Sequence, residues 1–188
     1  MTTKLVAYMK SLGIKPDIDQ SELEKYFNVR KLKRNEILLS LNSVCRNYYF
    51  VNHGALRIDF IIDGLEYTYW FAFENYLFTE FESYNSRTFT HCEIKAIEDS
   101  EILEITRKNM ELLLSKHKFW QDFQIKSQQQ TIIKLTEIIK SFQTQSASDR
   151  YADLFHHLGY TGRPDQKDQS TLIGVTKQSL SRTKRSKK

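Results

Sequence analysis

The last twelve residues of the chain, Lys177 to Lys188, form a basic segment whose side chains could contact phosphate groups. They read K-Q-S-L-S-R-T-K-R-S-K-K and contain six Lys or Arg and no acidic residue. The other 176 residues carry 22 Lys and Arg against 23 Asp and Glu, so the net charge of +5 arises at this end. A cationic segment of this kind indicates nucleic-acid phosphate as a partner. A solvated, frayed terminus is the alternative reading of the same residues.

Two short helices joined by a glycine-containing turn are predicted around this segment. Asp168 to Leu172 form the first candidate helix, Ile173 to Val175 the turn, and Thr176 caps a second helix from Lys177 to about Lys184. This order is the sequence signature of a helix-turn-helix, whose second helix enters the major groove with its N-terminal residues at the base edges. The first helix has few apolar residues, so we expect it to be weakly anchored.

The second helix has two distinct sides. Val175 and Leu180 would anchor it on its own domain, while the spacing of Lys177, Gln178, Ser181 and Arg182 places them on one polar face. Lys and Arg match guanine or phosphate and Gln matches adenine, but the sequence leaves open which base each would contact, or whether each is simply solvated. The predicted DNA-binding residues are Thr176, Lys177, Gln178, Ser181, Arg182, Lys184 and Arg185.

A β-rich region is predicted from Asn28 to Ile105, before the basic segment. Short runs rich in Val, Ile, Tyr and Phe are separated by turn residues, and Asp63-Gly64 predicts a tight hairpin. Residues 67–84 hold nine aromatic side chains interleaved with acidic ones, which favours a packed interior or a dimer surface over a base-stacking platform. Two short helices are predicted before this region, the second one capped by Ser21.

A long helix is predicted from about Lys118 to Phe142, after a shorter helix capped by Thr106. Apolar residues recur along it at seven-residue spacing, the pattern that buries a narrow stripe against a partner helix. Packing against the chain's own β region would explain the same pattern. The residues of the predicted dimer interface are Ile125, Ile132, Leu135 and Ile139.

The helix that follows opens at Ser146 and carries Tyr151, Leu154, Phe155 and Leu158 on one face before Gly159. The predicted division is an effector domain over residues 1–118, a connecting and dimerisation helix over 119–144, and a DNA-binding domain over 145–188. The fold class is α+β, with an antiparallel β unit first and small helices last.

Composition excludes several classes of protein. With 40% hydrophobic residues the chain can form a core, and no stretch has the length of a membrane span or the apolar run of a secretory signal. Two cysteines are too few for a disulfide framework or a four-thiolate metal site, so we expect a cytoplasmic protein without a metal. No histidine has a recognisable companion for haem or metal; the histidines are His53, His91, His117, His156 and His157. No enzymatic motif is present, so an enzyme is not expected.

Three motifs resemble the Crp/Fnr family of transcriptional regulators. Tyr49-Phe-Val-Asn-His-Gly54-Ala-Leu-Arg57 is similar to the family's glycine-and-basic strand pair, and Ser146-Ala-Ser-Asp-Arg150-Tyr151 to the opening of its DNA-binding domain. Gly174-Val-Thr-Lys-Gln-Ser-Leu-Ser-Arg182 resembles its recognition helix and is the most specific of the three.

The resemblance implies a fold and a set of partners. It implies an N-terminal cyclic-nucleotide-binding-like β-roll (a double-stranded β-helix), a long dimerisation helix and a C-terminal helix-turn-helix. Its base-reading positions fall on Lys177, Gln178 and Arg182. DNA, a second copy of the chain and RNA polymerase are the implied partners. The expected function is that of a homodimeric regulator reading a two-fold-related site; the alternative is a small-molecule-binding or interaction module with a degenerate DNA-binding domain.

The family's phosphate-binding cassette is not matched. It resembles a Gly-Glu pair followed by an Arg and a small residue, whereas Glu74 and Glu80 here have no preceding glycine and Thr90 falls where the arginine belongs. This departure argues against cyclic-AMP dependence. No cofactor is identified, and the candidate residues for an unknown small-molecule effector are Glu80, Arg87 and Thr90.

Overall fold

The computed structural model describes residues 1–157 and 162–185, except for the side chains of His156, His157, Thr183 and Arg185. Helices α1 (Thr3–Ser11) and α2 (Gln20–Glu24) come first. Their predicted positions are correct, but Asp19 rather than Ser21 precedes the first turn of α2. Leu5, Met9 and Leu23 are fully buried, so both helices cover one end of the β region.

The strands form two antiparallel four-stranded sheets that face each other as a β-roll. One has the order β1-β8-β3-β6 and the other β2-β7-β4-β5. The bounds of the strands are Asn28–Leu32 (β1), Ile37–Leu39 (β2), Asn47–His53 (β3), Leu56–Ile62 (β4), Leu65–Ala72 (β5), Leu77–Phe78 (β6), Cys92–Ala96 (β7) and Ser100–Thr106 (β8). Helix α3 (Phe81–Ser86) lies between β6 and β7.

The hairpin β4–β5 is the one that Asp63-Gly64 predicts. Both residues have positive φ, +51° at Asp63 and +76° at Gly64, as a two-residue turn between twisted strands requires. Ile62 and Leu65 pair directly on either side of the turn. The turn fixes the register of Asp59–Ile62 with Leu65–Thr68, and a bulge at Tyr69 then shifts the pairing of Leu56–Ile58.

Most of the aromatic residues between 67 and 84 belong to the interior. Trp70, Phe71, Phe78 and Tyr84 are almost fully buried, and Tyr76 stacks on Phe78 with ring centroids 5.6 Å apart. A packed interior is therefore confirmed for most of this cluster. Aromatic pairs of this kind add to the stabilisation that comes from burying their area.

The helices after the β-roll are α4 (Arg107–Lys116), α5 (Lys118–Thr144), α6 (Ala147–Tyr151), a π-helical segment (Ala152–His157), α7 (Gln166–Leu172) and α8 (Lys177–Arg185). The predicted caps of α4 and α6 are confirmed. Thr106 Oγ1 accepts a hydrogen bond from Asn109 N, and Ser146 Oγ accepts one from Asp149 N. Leu158 and Gly159, the predicted end of the helix after Ser146, lie outside the described residues.

Two apolar clusters hold these elements together. The larger one fills the β-roll, and the start of α5 joins it through Phe119, Trp120 and Phe123. The second lies between the β-roll and the C-terminal helices. Its buried members are Ala55, Phe71, Ile97, Leu154, Phe155, Leu172, Ile173 and Leu180. The C-terminal helices therefore share a core with the β-roll.

Candidate nucleic-acid interface

The helix-turn-helix geometry begins with the turn between α7 and α8. Gly174 has φ +74°, a conformation that side-chain-bearing residues rarely adopt. A Cβ atom at this position would lie 2.9 Å from Phe142 Cε1, near the end of α5. Thr176 then caps α8, because its Oγ1 accepts a hydrogen bond from Ser179 N at 3.2 Å. The turn and the start of the predicted recognition helix are thus set by two local features, the positive φ of Gly174 and the Thr176 cap, while Phe142 leaves little room for a side chain at the turn.

Helix α8 has a buried side and an exposed side. Leu180 is fully buried in the second apolar cluster, and Val175 packs at its edge. Lys177, Gln178 and Arg182 are exposed, and Ser181 is half-buried beside them. The structure therefore brings four predicted DNA-contacting residues to one end and one side of a capped helix.

Lys184 differs from the predicted pattern. Its Nζ donates a hydrogen bond to Gln169 Oε1 at 2.8 Å and lies 4.8 Å from the centre of the Tyr151 ring. The side chain thus ties α8 to α7 and α6 instead of standing free for a phosphate. The Arg185 side chain and residues 186–188 are outside the part of the chain that the structure describes.

The first helix of the motif is anchored by its polar side, which corrects the expectation of weak anchoring. Asp168, Gln169 and Ser170 on α7 are each at least 95% buried. Gln169 Nε2 donates to Pro164 O at 2.8 Å, and Thr171 Oγ1 accepts from the backbone N of Thr68 on β5 at 3.2 Å. Polar residues occur here because the helix packs on a polar part of the β-roll.

Arg57 on β4 is the centre of that polar contact. Its Nη1 lies 2.5 Å from Asp168 Oδ1, and its Nη2 lies 2.7 Å from Glu66 Oε2. Its Nε is 2.7 Å from Asp59 Oδ2, an ion-pair distance without hydrogen-bond geometry. Asp59 also accepts a hydrogen bond from Thr68 Oγ1. A single buried guanidinium therefore joins three carboxylates, one of which belongs to the helix-turn-helix.

Burial and charge act in opposite directions on this cluster. Burial opposes the charge of Arg57, but Asp59, Asp168 and Glu66 together outweigh it and raise the pKa of Arg57. Burial raises the pKa of Asp59 and of Asp168, and the nearby guanidinium offsets only part of the effect. The cluster is thus a buried network whose charges depend on one another.

Arg163 forms a second contact between the β-roll and the C-terminal unit, which comprises the described residues after α5. Its guanidinium binds Glu74 through two hydrogen bonds of 2.8 and 3.0 Å, and it also pairs with Glu98. Glu74 Oε1 accepts a further hydrogen bond from Gly54 N. Burial opposes ionisation of Glu74, but Arg163 and the backbone N–H groups lower its pKa to about 2. Glu74 lies in the segment that the sequence analysis compared with the phosphate cassette. In the structure its carboxylate instead binds Arg163 and so links the β-roll to the C-terminal unit.

The predicted dimer residues form an exposed apolar stripe on α5. Ile125, Ile132, Leu135 and Ile139 are between 42% and 61% exposed, while Phe119, Trp120 and Phe123 bury the opposite side of the helix. Within the described chain the stripe does not pack against the β-roll, which is the alternative that periodicity alone left open. Ile133, which is not among the predicted dimer residues, is 50% exposed and adds to the apolar surface of α5.

The candidate effector residues Glu80, Arg87 and Thr90 lie on either side of helix α3 and have different surroundings. Both carboxylate oxygens of Glu80 accept hydrogen bonds from the first backbone N–H groups of α3, those of Glu82 and Ser83. Thr90 is buried, and its hydroxyl accepts a hydrogen bond from Cys92 N. Arg87 is exposed at the C-terminal end of α3. The grouping of these three residues into one effector site therefore stays a prediction, with Glu80 and Thr90 already engaged in local hydrogen bonds.

The described residues contain neither a metal-ligand cluster nor a membrane-spanning helix. No group of three or more His, Cys, Asp or Glu side chains in that part of the chain is arranged to hold a metal ion. None of the described helices combines the length and the apolar character required to cross a bilayer.

Comparison with known proteins identifies the β-roll and the architecture. Residues 29–117 match the family model of the cyclic nucleotide-binding domain. A comparison with curated proteins finds no match.

Among solved structures, a CooA variant from Carboxydothermus hydrogenoformans has a TM-score of 0.72 at 17% identity and covers 90% of this chain and 80% of its own. FixK2 from Bradyrhizobium japonicum has a TM-score of 0.70 at 15% identity, covering 85% and 83%. The c-di-GMP-responsive global regulator CLP of Xanthomonas campestris has a TM-score of 0.68 at 12% identity, covering 88% of each chain. At these identities the likeness establishes a shared fold.

Proposed function

Because the chain contains a cyclic nucleotide-binding domain and has the fold of the Crp/Fnr regulators, we propose that it is a DNA-binding transcription regulator that acts as a homodimer. The observation that carries this proposal is helix α8, which buries Leu180 and exposes Lys177, Gln178 and Arg182 near a Thr176-capped end. A helix with these two sides can enter a major groove while it stays attached to its own domain.

Dimerisation supplies the second half of a DNA site. The apolar stripe of α5, with Ile132 and Ile139 about 60% exposed, supports pairing of two such helices, since large apolar side chains in one row are stabilised when a partner covers them. Two copies would then present two α8 helices related by a two-fold axis, which favours a DNA site of matching symmetry.

The test is sequence-specific binding to DNA selected from random duplexes by the full chain. Arg182→Ala should weaken binding to the selected sequence by about 1–3 kcal/mol and relax the base preference at one position in each half-site. Lys10→Ala, which removes an exposed cation from α1, is the control and should leave the affinity unchanged. Selection that yields no preferred sequence, with binding abolished by moderate salt, would instead support an interaction module with a degenerate DNA-binding domain.

We also propose that DNA binding does not require cyclic AMP. None of the three residues near the expected cassette is arranged as the family's phosphate-binding arginine would be. Glu80 caps α3, Thr90 is buried, and Arg87 is exposed at the end of α3. Tyr76 and Phe78 stack in the same region of the fold. Gel-shift titrations with and without cyclic AMP should give the same affinity, and a strong increase with the nucleotide would overturn this part of the proposal.

A further inference from the structure

Four cations from three segments of the chain meet at one surface cleft of the β-roll. Arg46 comes from the loop before β3, Arg87 from the end of α3, and Arg107 and Lys108 from the first turn of α4. The cleft has a volume of about 460 Å³. Among its described lining residues none is acidic, and Val44 and Cys45 contribute apolar surface. The sequence predicts a cationic cluster only at the C-terminal end.

The four cations of the cleft are not ion-paired within the described part of the chain. None of them forms an ion pair with a carboxylate there. Arg107 lies over the Tyr84 ring at 4.0 Å, and its Nη2 is buried without a hydrogen-bond partner. The accessible part of the same guanidinium lines the cleft, where it can bind an anion through charge-assisted hydrogen bonds.

The position of two of these cations at a helix N-terminus makes the arrangement unfavourable without an anion. Arg107 and Lys108 occupy the positive N-terminal end of α4, where acidic residues are normally stabilising and where this helix has none. Arg87 adopts a left-handed backbone conformation with φ +61°, which is costly for a residue with a long side chain. A multiply charged anion in the cleft would compensate the clustered charges.

From this juxtaposition we propose that the cleft lined by Arg46, Arg87, Arg107 and Lys108 binds a diphosphate-bearing small molecule. Guanidinium groups bind phosphate oxygens through paired hydrogen bonds, and three of them with one ammonium group match two adjacent phosphates. The cleft volume is within the range of small-molecule sites. The apolar surface of Val44 offers room for an organic group beside the phosphates.

This site is separate from the proposed DNA-contacting helix. Strand β8 begins at Ser100, two residues after Glu98, which pairs with Arg163 of the C-terminal unit, and ends at Thr106 in the cleft. Seven residues of extended strand span roughly 20 Å. Failure of DNA binding would therefore leave this proposal standing, and the reverse is also true.

The experiment is titration calorimetry of the full chain with inorganic pyrophosphate at fixed ionic strength, with ADP as a second probe. Binding of pyrophosphate is the expected result. Arg107→Gln and Arg87→Gly should each weaken it by about tenfold or more, since each removes charge-assisted hydrogen bonds. Lys116→Ala, at the opposite end of α4, is the matched control and should leave the affinity within twofold. Tighter binding of ADP than of pyrophosphate would assign the apolar part of the cleft to the nucleoside.

Arg87→Gly separates binding from folding. Because glycine adopts a φ of +61° without steric cost, this variant should melt no lower than the unmodified protein and still lose affinity for pyrophosphate. The proposal is overturned if pyrophosphate does not bind at millimolar concentration. It is also overturned if the cleft variants bind as the unmodified chain does, or if Lys116→Ala loses as much affinity as they do.

Discussion

Arg57 on strand β4 and Asp168 on helix α7 form a buried ion pair with Nη1 and Oδ1 2.5 Å apart, although 111 positions separate them in the chain. The same guanidinium binds Glu66 and lies against Asp59, so it stabilises the hairpin of the β-roll and the first helix of the motif together. Docking of the C-terminal helices on the β-roll therefore depends in part on this one side chain.

Removing that guanidinium should destabilise the protein strongly. Arg57→Ala would leave Asp59 and Asp168 buried without their cation, which costs about 3–5 kcal/mol in the free energy of unfolding. Urea denaturation measures the change. Arg34→Ala breaks an exposed pair with Asp165 and should cost about 1 kcal/mol or less. Equal losses for the two variants would show that the buried network does not support the fold.

Acid should weaken the contact at Arg163. The pKa of Glu74 is about 2 in the folded chain, below its ordinary value of about 4.3, so its carboxylate stabilises the fold above that value and loses this effect as pH falls towards 2. The raised pKa values of Asp59 and Asp168 act in the opposite direction, because protonation in acid favours their folded form. Comparison with Glu74→Gln isolates the first effect.

Thermal melts between pH 6 and pH 3 provide the readout for that comparison. The unmodified chain should lose more of its melting temperature over this range than Glu74→Gln does. Parallel curves for the two proteins would mean that the carboxylate of Glu74 gains nothing from Arg163 in solution.

The stripe on α5 should control the oligomeric state. Ile132→Glu places a charge in the centre of the proposed helix pair and should give a monomer in sedimentation velocity at concentrations where the unmodified chain is a dimer. Gln130→Glu introduces the same charge on an exposed position outside the stripe and should remain dimeric. A monomeric unmodified chain, or a dimeric Ile132→Glu variant, would remove α5 as the dimer interface.

The turn of the motif should tolerate no side chain at Gly174. Gly174→Ala should lower the free energy of unfolding for two reasons. A side chain at a positive φ costs about 1–2 kcal/mol, and the added Cβ would lie 2.9 Å from Phe142. Gly64→Ala has a similar φ but no atom within 4 Å of its Cβ, so it measures the backbone cost alone. Gly174→Ala should lower the melting temperature more, and adding Phe142→Ala should restore part of the difference. Equal losses for the two glycine variants would contradict the packing argument.

Local signals in the sequence predicted much of the fold because the interactions behind them are local. Asp63-Gly64 fixes its hairpin, and Thr106, Ser146 and Thr176 cap the helices that follow them, each within three residues. The two sides of α8 follow from helical periodicity in the same way. Such features need no knowledge of distant residues.

The contacts between distant segments were missed for the opposite reason. The polar residues of α7 indicated weak anchoring because nothing near them in the sequence shows that Arg57 is their partner. The cationic cleft joins Arg46, Arg87 and Arg107, which no local pattern connects. The cap that Glu80 forms on α3 is a local contact and was missed for a different reason, because the sequence analysis predicted no helix at Phe81–Ser86.

The shared second core has a consequence for modular engineering. Ala55, Phe71 and Ile97 of the β-roll complete the environment of Leu154, Phe155 and Leu180. A chimera that transferred only the C-terminal helices to another effector domain would expose these side chains, together with the polar face of α7, to water. Helix α8 can be transplanted only with the part of the β-roll that packs against its cluster.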